Sequence, residues 1–329
     1  MGQQLVSLIQ AAVAFGTVIM FGSVGEILAE KSGNLNLGVP GIMYLGGIAG
    51  LIASFLYENN AANPVPSVAV ILTLLAAFFV AMLGGLIYSV LTITLRANQN
   101  VTGLTLTIFG GGVANLFGGT LNKMAGGAGQ ISVALTSGAF RTNLPFLSTE
   151  LGGIGRALFS YGFLAYLAIV VAFVVSYVLN KTSVGLNLRA VGENPATADA
   201  AGINVTRYKY MATCIGAGIS GLGGLYYTMD YIKGTWSTDG SIEKLGWLAV
   251  ALVIFATWKP RRAIWGAYLF GALFWLFFYI PGLTRSTQEI FKMLPYLVTV
   301  FVLIVVSLRR RREDQPPTSL GLPYFREER

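Results

Sequence analysis

What most constrains this chain is a succession of long stretches that contain no charged residue. They run approximately over 5–25, 38–57, 68–95, 101–121, 161–180, 210–229, 245–258, 263–280 and 293–308. A bilayer core about 30 Å thick takes about 20 apolar residues per helix, so these nine runs predict an all-α, polytopic transmembrane helix bundle of about nine spans, within a range of eight to ten. Charged residues make up only 11% of the chain, against about 25% in soluble domains. The long third run reads either as one tilted helix or as a helix followed by a re-entrant piece. The first run reads as a span rather than a cleavable signal, because no Lys or Arg precedes Lys31 and the flank Gly25–Leu28 has no small-x-small cleavage pattern.

The absence of histidine and the single cysteine, Cys214, leave no disulfide framework, no Cys/His metal cluster and no Ser-His or Cys-His nucleophile pair. The net charge of +8 does not indicate nucleic acid, since the basic residues flank apolar spans. With Arg309–Arg312 placed in the cytoplasm, alternation through nine spans puts fifteen basic residues inside and seven outside. The inner set includes Lys31, Arg96, Arg189, Arg207, Lys259 and Arg262; the outer set includes Lys123, Arg141 and Arg285. The chain thus divides into one transmembrane domain, 1–312, and a cytoplasmic tail, 313–329, whose Gln315-Pro316-Pro317 stretch is expected to be mobile.

The centres of the nine runs carry no ionisable residue, and Glu26 and Asp230 fall at run edges. Carriers driven by protons or sodium need carboxylates within the membrane, so the driving energy is expected from a partner. An uncharged solute is expected for the same reason, because a dry path without counter-charges penalises an ion. The lack of histidine, of a metal constellation and of an acid pair within a span argues against an intramembrane enzyme. No Gly-rich loop ends in Lys-Ser or Lys-Thr, so any ATPase is another polypeptide.

Polar groups in the spans are amides and hydroxyls. At 100° per residue, Asn98, Thr102, Thr105, Phe109 and Gly112 share a face. They read either as a solute pathway suited to a ribose and a base, or as threonines bonded back to their own helix with an ordinary packed ring. The stretch from Ser32 to Gly41, with Asn34, Asn36 and Pro40, breaks the helical pattern. It is either a piece of the pathway or gate, or a plain cytoplasmic turn. Gly216–Gly221 imitates a dinucleotide-binding glycine pattern, but no strand precedes it, and within an apolar run it marks close helix contact.

Between the fifth and sixth runs, segment 189–204 contains a short capped helix from Pro195 to Ala201. Asn194 is its N-cap, Pro195 suits the first turn, and Gly202 fits the left-handed position after its end. The stretch RAVGENPATADAAGINV resembles the cytoplasmic coupling segment in permeases of ATP-binding cassette (ABC) importers of the branched-chain amino acid, ribose and nucleoside group. GEILAEKSGNLNLGVPGIMYLGG resembles that family's first-loop signature, with Pro40 where members more often carry a hydrophobic residue. LRANQNVTGLTL and the tail LGLPYFREER are similar to the nucleoside branch. The resemblance implies alternating access in a bacterial inner membrane with the C-terminus cytoplasmic. It further implies an ATPase subunit that binds ATP and Mg, a second permease that is either a different chain or a second copy, and a substrate-binding lipoprotein or periplasmic protein. No cofactor is expected in this chain. Glu193, Asn194, Pro195, Ala198, Ala201 and Gly202 become the expected ATPase contacts, and a nucleoside the expected solute. Simple sugars and branched-chain amino acids are the alternatives within the family, and a stand-alone channel is the alternative outside it.

Overall fold

The computed structural model describes residues 2–124, 131–142, 152–309 and 314–325, and every regular element among them is helical. In chain order these are α1 (Gly2–Glu30), α2 (Val39–Asn60), α3 (Pro66–Ser89), α4 (Gln99–Met124), α5 (Ala134–Phe140), α6 (Gly152–Phe159) and α7 (Phe163–Lys181). They continue as α8 (Ser183–Glu193), α9 (Pro195–Ala200), α10 (Val205–Tyr226), α11 (Ser241–Phe255), α12 (Pro260–Trp275) and α13 (Arg285–Arg309). Each of the nine apolar runs falls on one long helix. Among the described residues, seven helices are long and apolar enough to cross a membrane.

The two runs that fall short do so for different reasons. In α10 glycines dilute the apolarity, and Arg207 and Lys209 occupy its first turns. The 15 residues of α11 rise only about 22 Å, and the run stops where Thr257 and Trp258 turn to positive φ, 51° and 54°. The third run is one continuous helix, since α3 passes through a π-helical turn, Val90–Thr94, without leaving the axis. Arg96, at φ 58°, then ends it.

At the centre, α1, α2 and α10 pack on one another and on their neighbours α3, α4, α11 and α12. From Gly216 to Tyr226 every residue of α10 is buried. Small residues make this approach feasible, because membrane helices gain little from the hydrophobic effect among themselves and rely on close packing. A Cβ on Gly25 would lie 2.2 Å from the Gly216 carbonyl oxygen, and one on Gly46 2.4 Å from that of Gly221. Ser220 adds a hydrogen bond across the same seam, donating to the Gly22 carbonyl at 3.1 Å. The glycine stretch in α10 is therefore a helix contact. Pro40 sits in the first turn of α2, where no backbone donor is required, and Gly246 of α11 packs directly against it. The outermost helix, α13, packs on α11 and α12 and is mostly exposed.

Candidate functional site

The capped helix forms as its residues dictate. Asn194 Oδ1 accepts from the Thr197 amide at 3.0 Å, and Pro195 occupies the first turn. Gly202, at φ 84°, closes the end with its amide donating to the Asp199 carbonyl. The helix is one residue shorter than expected, with Ala201 as its C-cap. Asn204 at once caps the next helix, its Oδ1 accepting from the Arg207 amide at 2.9 Å. Ala198, expected on an outward docking face, is instead 3% exposed and packs with Val191 and Val205. The outward side of α9 presents Thr197, Ala200, Ala201 and Gly202, with Glu193 and Asn194 beside them.

The stretch after α1 is a tightly held loop. Asn34 and Asn36 are buried. Asn34 Nδ2 donates to Thr213 Oγ1 at 2.8 Å, and its Oδ1 is a buried acceptor without a hydrogen-bond partner. The Asn36 amide donates to Glu26 Oε1 at 2.9 Å, while Asn36 Oδ1 accepts from the Gly38 amide at 2.9 Å. Gln99 Oε1 accepts from the Leu35 amide at 2.7 Å, Tyr88 donates to the Leu35 carbonyl, and Thr107 donates to that of Leu37 at 3.1 Å. One short loop thus bonds to α1, α3, α4 and α10.

On α4 the expected polar face divides. Asn98 is the exposed N-cap, accepting from the Val101 amide at 3.1 Å. Thr102 and Thr105 donate back to the carbonyls of Asn98 and Val101, both at 2.8 Å. Thr102 is buried, whereas Thr105 and Phe109 are exposed, and a Cβ on Gly112 would meet nothing within 4 Å. This outer strip of α4 is open to lipid or to a second chain.

Three features escaped the sequence reading. The first is an acid pair inside a span: Glu26 and Glu30, one turn apart on α1, are 2% and 3% exposed. Glu30 accepts from the indole of Trp258. The i, i+4 spacing of two acids at the end of an apolar helix was the available signal. The second is Lys31, whose ammonium burial pushes below the usual lysine range.

The third is the tail, which is not loose. Asp314 pairs with Lys259 and Arg262, each at 2.8 Å. The Lys259 hydrogen bond, with Arg262 beside it, holds its carboxyl below the usual carboxylate range. The Ser319 amide and hydroxyl both donate to the Gly192 carbonyl, at 3.0 and 2.6 Å, and the Gly321 amide to that of Gly33 at 3.2 Å. Thr318 donates to Glu193 at 2.8 Å, Tyr324 donates to Asp199 at 2.9 Å, and Arg96 lies over the Phe325 ring. Arg310–Arg312, which set the expected orientation, lie outside the described residues, as does much of 122–160.

Comparison with known proteins bears on this arrangement. The family described as "Branched-chain amino acid transport system / permease component" matches residues 8–303. A nucleoside ABC transporter permease, NupC of Lactococcus lactis, is 32% identical over 88% of each chain. The guanosine ABC transporter permease NupQ of Bacillus subtilis is 28% identical over 99% of each. A putative glucose ABC transporter permease, TsgC13 of Haloferax volcanii, is 33% identical over 81% of this chain and 75% of its own. No solved structure matches the chain.

Proposed function

Because the chain belongs to the permease-component family of branched-chain amino acid transport systems, we propose that it is the membrane-spanning subunit of an ATP-driven importer of nucleosides. The observation that carries the solute class is the similarity to nucleoside and guanosine permeases along nearly the whole chain. The uncharged centres of the spans support it, since a neutral solute needs no counter-charge. Glu26 and Glu30 qualify that argument without overturning it, because both are sealed at the end of α1 and engaged by Asn36 and Trp258.

In this reading α9 takes up the motion of a separate ATPase, which binds ATP and Mg, through Glu193, Asn194, Pro195, Ala201 and Gly202. Ala198 holds α9 to its own chain. Asn98, Thr105 and Phe109 line the solute route together with a second permease, because a single chain leaves the outer strip of α4 open, and Thr102, buried and bonded back to the Asn98 carbonyl, supports that strip from behind. Asn34 and Asn36 brace the gate from within. A binding lipoprotein or periplasmic protein delivers the solute, the membrane is the bacterial inner membrane, and the C-terminus is cytoplasmic. Alternating access follows from closure of the ATPase against paired α9 helices.

Uptake is the test. The permease is reconstituted with the ATPase and binding protein, and ATP-dependent accumulation of uridine, adenosine, guanosine and glucose is measured. Nucleoside uptake is the expected result. Accumulation of a charged solute with none of the nucleosides overturns the reading. Glucose alone favours the sugar alternative, which the Haloferax relative motivates. Family membership argues against a stand-alone channel.

A further inference from the structure

The tail is the part of the molecule that the proposed function leaves unused. It crosses the junction where α8 meets the loop after α1. At that junction a Cβ on Gly192 would lie 2.3 Å from the Lys31 carbonyl oxygen, and one on Gly33, which sits at φ 88°, 2.6 Å from Ser319 Oγ. Gly192 is bare where the loop lies against α8, and Gly33 is bare where the tail crosses the loop. The tail uses both, capping the Gly192 carbonyl with the Ser319 amide and hydroxyl and the Gly33 carbonyl with the Gly321 amide. Further along, Tyr324 packs into the small cluster of Val191, Ala198 and Val205 beneath α9 and bonds Asp199. The tail therefore holds α9 at one end and the loop at the other.

We propose that residues 314–325 form a clasp that makes α9 and the loop 31–38 move as one body, with Ser319 and Tyr324 as the positioning residues. This rests on the reading of α9 as the element that an ATPase displaces. Covalently, α9 is continuous only with α8 and α10. Through the clasp it also reaches the loop, and the loop bonds to Glu26 of α1, Tyr88 of α3, Gln99 and Thr107 of α4 and Thr213 of α10. Displacement of α9 is thereby delivered to four helices at once, α4 among them. The clasp is separable from the fold because it arches over a cavity of about 680 Å³ lined by Glu30, Trp258, Leu303, Asp314, Pro316 and Leu320. Its release removes these bonds and the contact of Leu320 with the edge of the main core, while the packing of the long helices on one another involves no clasp residue.

The test uses the full chain in nanodiscs and two variants, Ser319→Pro, which removes both donors to Gly192, and Tyr324→Phe, which removes only the hydroxyl bond to Asp199. Amide exchange is read over 32–38 and 197–203. A lost hydrogen bond of ordinary strength lets local opening rise by about tenfold. The expected result is faster exchange in both segments, larger in the double variant than in either single one, with the middle of α2 and α10 unchanged. Acceleration confined to 315–325 overturns the proposal, as does uniform acceleration throughout the chain. In the reconstituted transporter, the double variant should retain the ATPase while hydrolysing more ATP per solute moved. Loss of the ATPase from the variant would make the tail a docking surface instead and overturn the clasp. If the parent chain binds no ATPase, the transport reading falls, whereas the exchange experiment still decides whether the tail joins the two segments.

Discussion

Replacing Gly202 with valine tests the coupling segment through its backbone alone. The residue sits at φ 84°, and a Cβ built there meets nothing within 4 Å, so the substitution brings no clash. Its whole cost is conformational, about 1–2 kcal/mol for an L-residue forced into the left-handed region. A cost of that size shifts a local equilibrium by about 5–30-fold. Two bonds depend on the turn: the residue 202 amide donates to the Asp199 carbonyl and the Ile203 amide to that of Ala198, both at 3.0 Å. Exchange at the Ile203 amide is the direct assay, and it should accelerate within that range in Gly202→Val. Gly202→Asn is the control, since asparagine tolerates the left-handed region better and should fall between valine and the parent. In the reconstituted complex the valine variant should keep part of its ATPase binding yet lose solute-stimulated hydrolysis. Valine exchanging like glycine, or asparagine exchanging as fast as valine, would refute the argument that Gly202 is selected by its backbone angle.

Five further outcomes are expected. Thr197→Arg, on the exposed side of α9, should leave membrane levels intact and reduce ATPase co-purification. Ala198→Arg, forced between Val191 and Val205, should destabilise the segment itself by about 1–3 kcal/mol or more, seen as proteolysis within 189–204. Gly25→Leu should jam α1 against α10, where the nearest backbone oxygen lies 2.2 Å from a Cβ, and lower the melting temperature of the purified chain. Asp314 has a lowered folded pKa, so the tail anchor it provides is fully present above the ordinary Asp value of about 3.9 and is lost as pH falls through the folded value. Pepsin should release the tail more readily as the medium is acidified through that window, and Asp314→Asn should flatten the dependence. For topology, Leu322→Cys in a Cys214→Ala background should resist an impermeant thiol reagent in intact cells and react after permeabilisation, and labelling in intact cells would reverse the orientation.

The sequence was most informative where structure is local. Apolar runs mark the long helices because bilayer thickness sets their length, and Asn194, Pro195 and Gly202 mark α9 because capping needs only near neighbours. Where chain ends meet distant partners, it was silent. Nothing within Gln315–Phe325 states that Ser319 will bond Gly192, and a stretch with two prolines and no periodicity reads as loose. The charges at the end of α1 read as outside the membrane interior, yet tertiary packing covers Glu26 and Glu30 completely. Asn34 and Asn36 announced a polar break in a helical pattern, but their partners lie on helices up to 179 positions away. The orientation of Ala198 depended on which side of a two-turn helix meets Val191 and Val205, and alanines on every side left no stripe to read.

Because residues 314–325 follow α1 to α13 in the chain, the junction they bridge closes only after all of those helices have been made. The long apolar helices can enter the bilayer as they emerge, but α9 and the loop after α1 stay unjoined until residues 314–325 have left the ribosome. A chain cut short after α13 would insert all its hydrophobic segments and still lack the contacts at Gly33 and Gly192. Bracing of this junction thus reports that synthesis has passed α13, and a partner that engages the braced junction would pass over copies cut short before it in the same membrane.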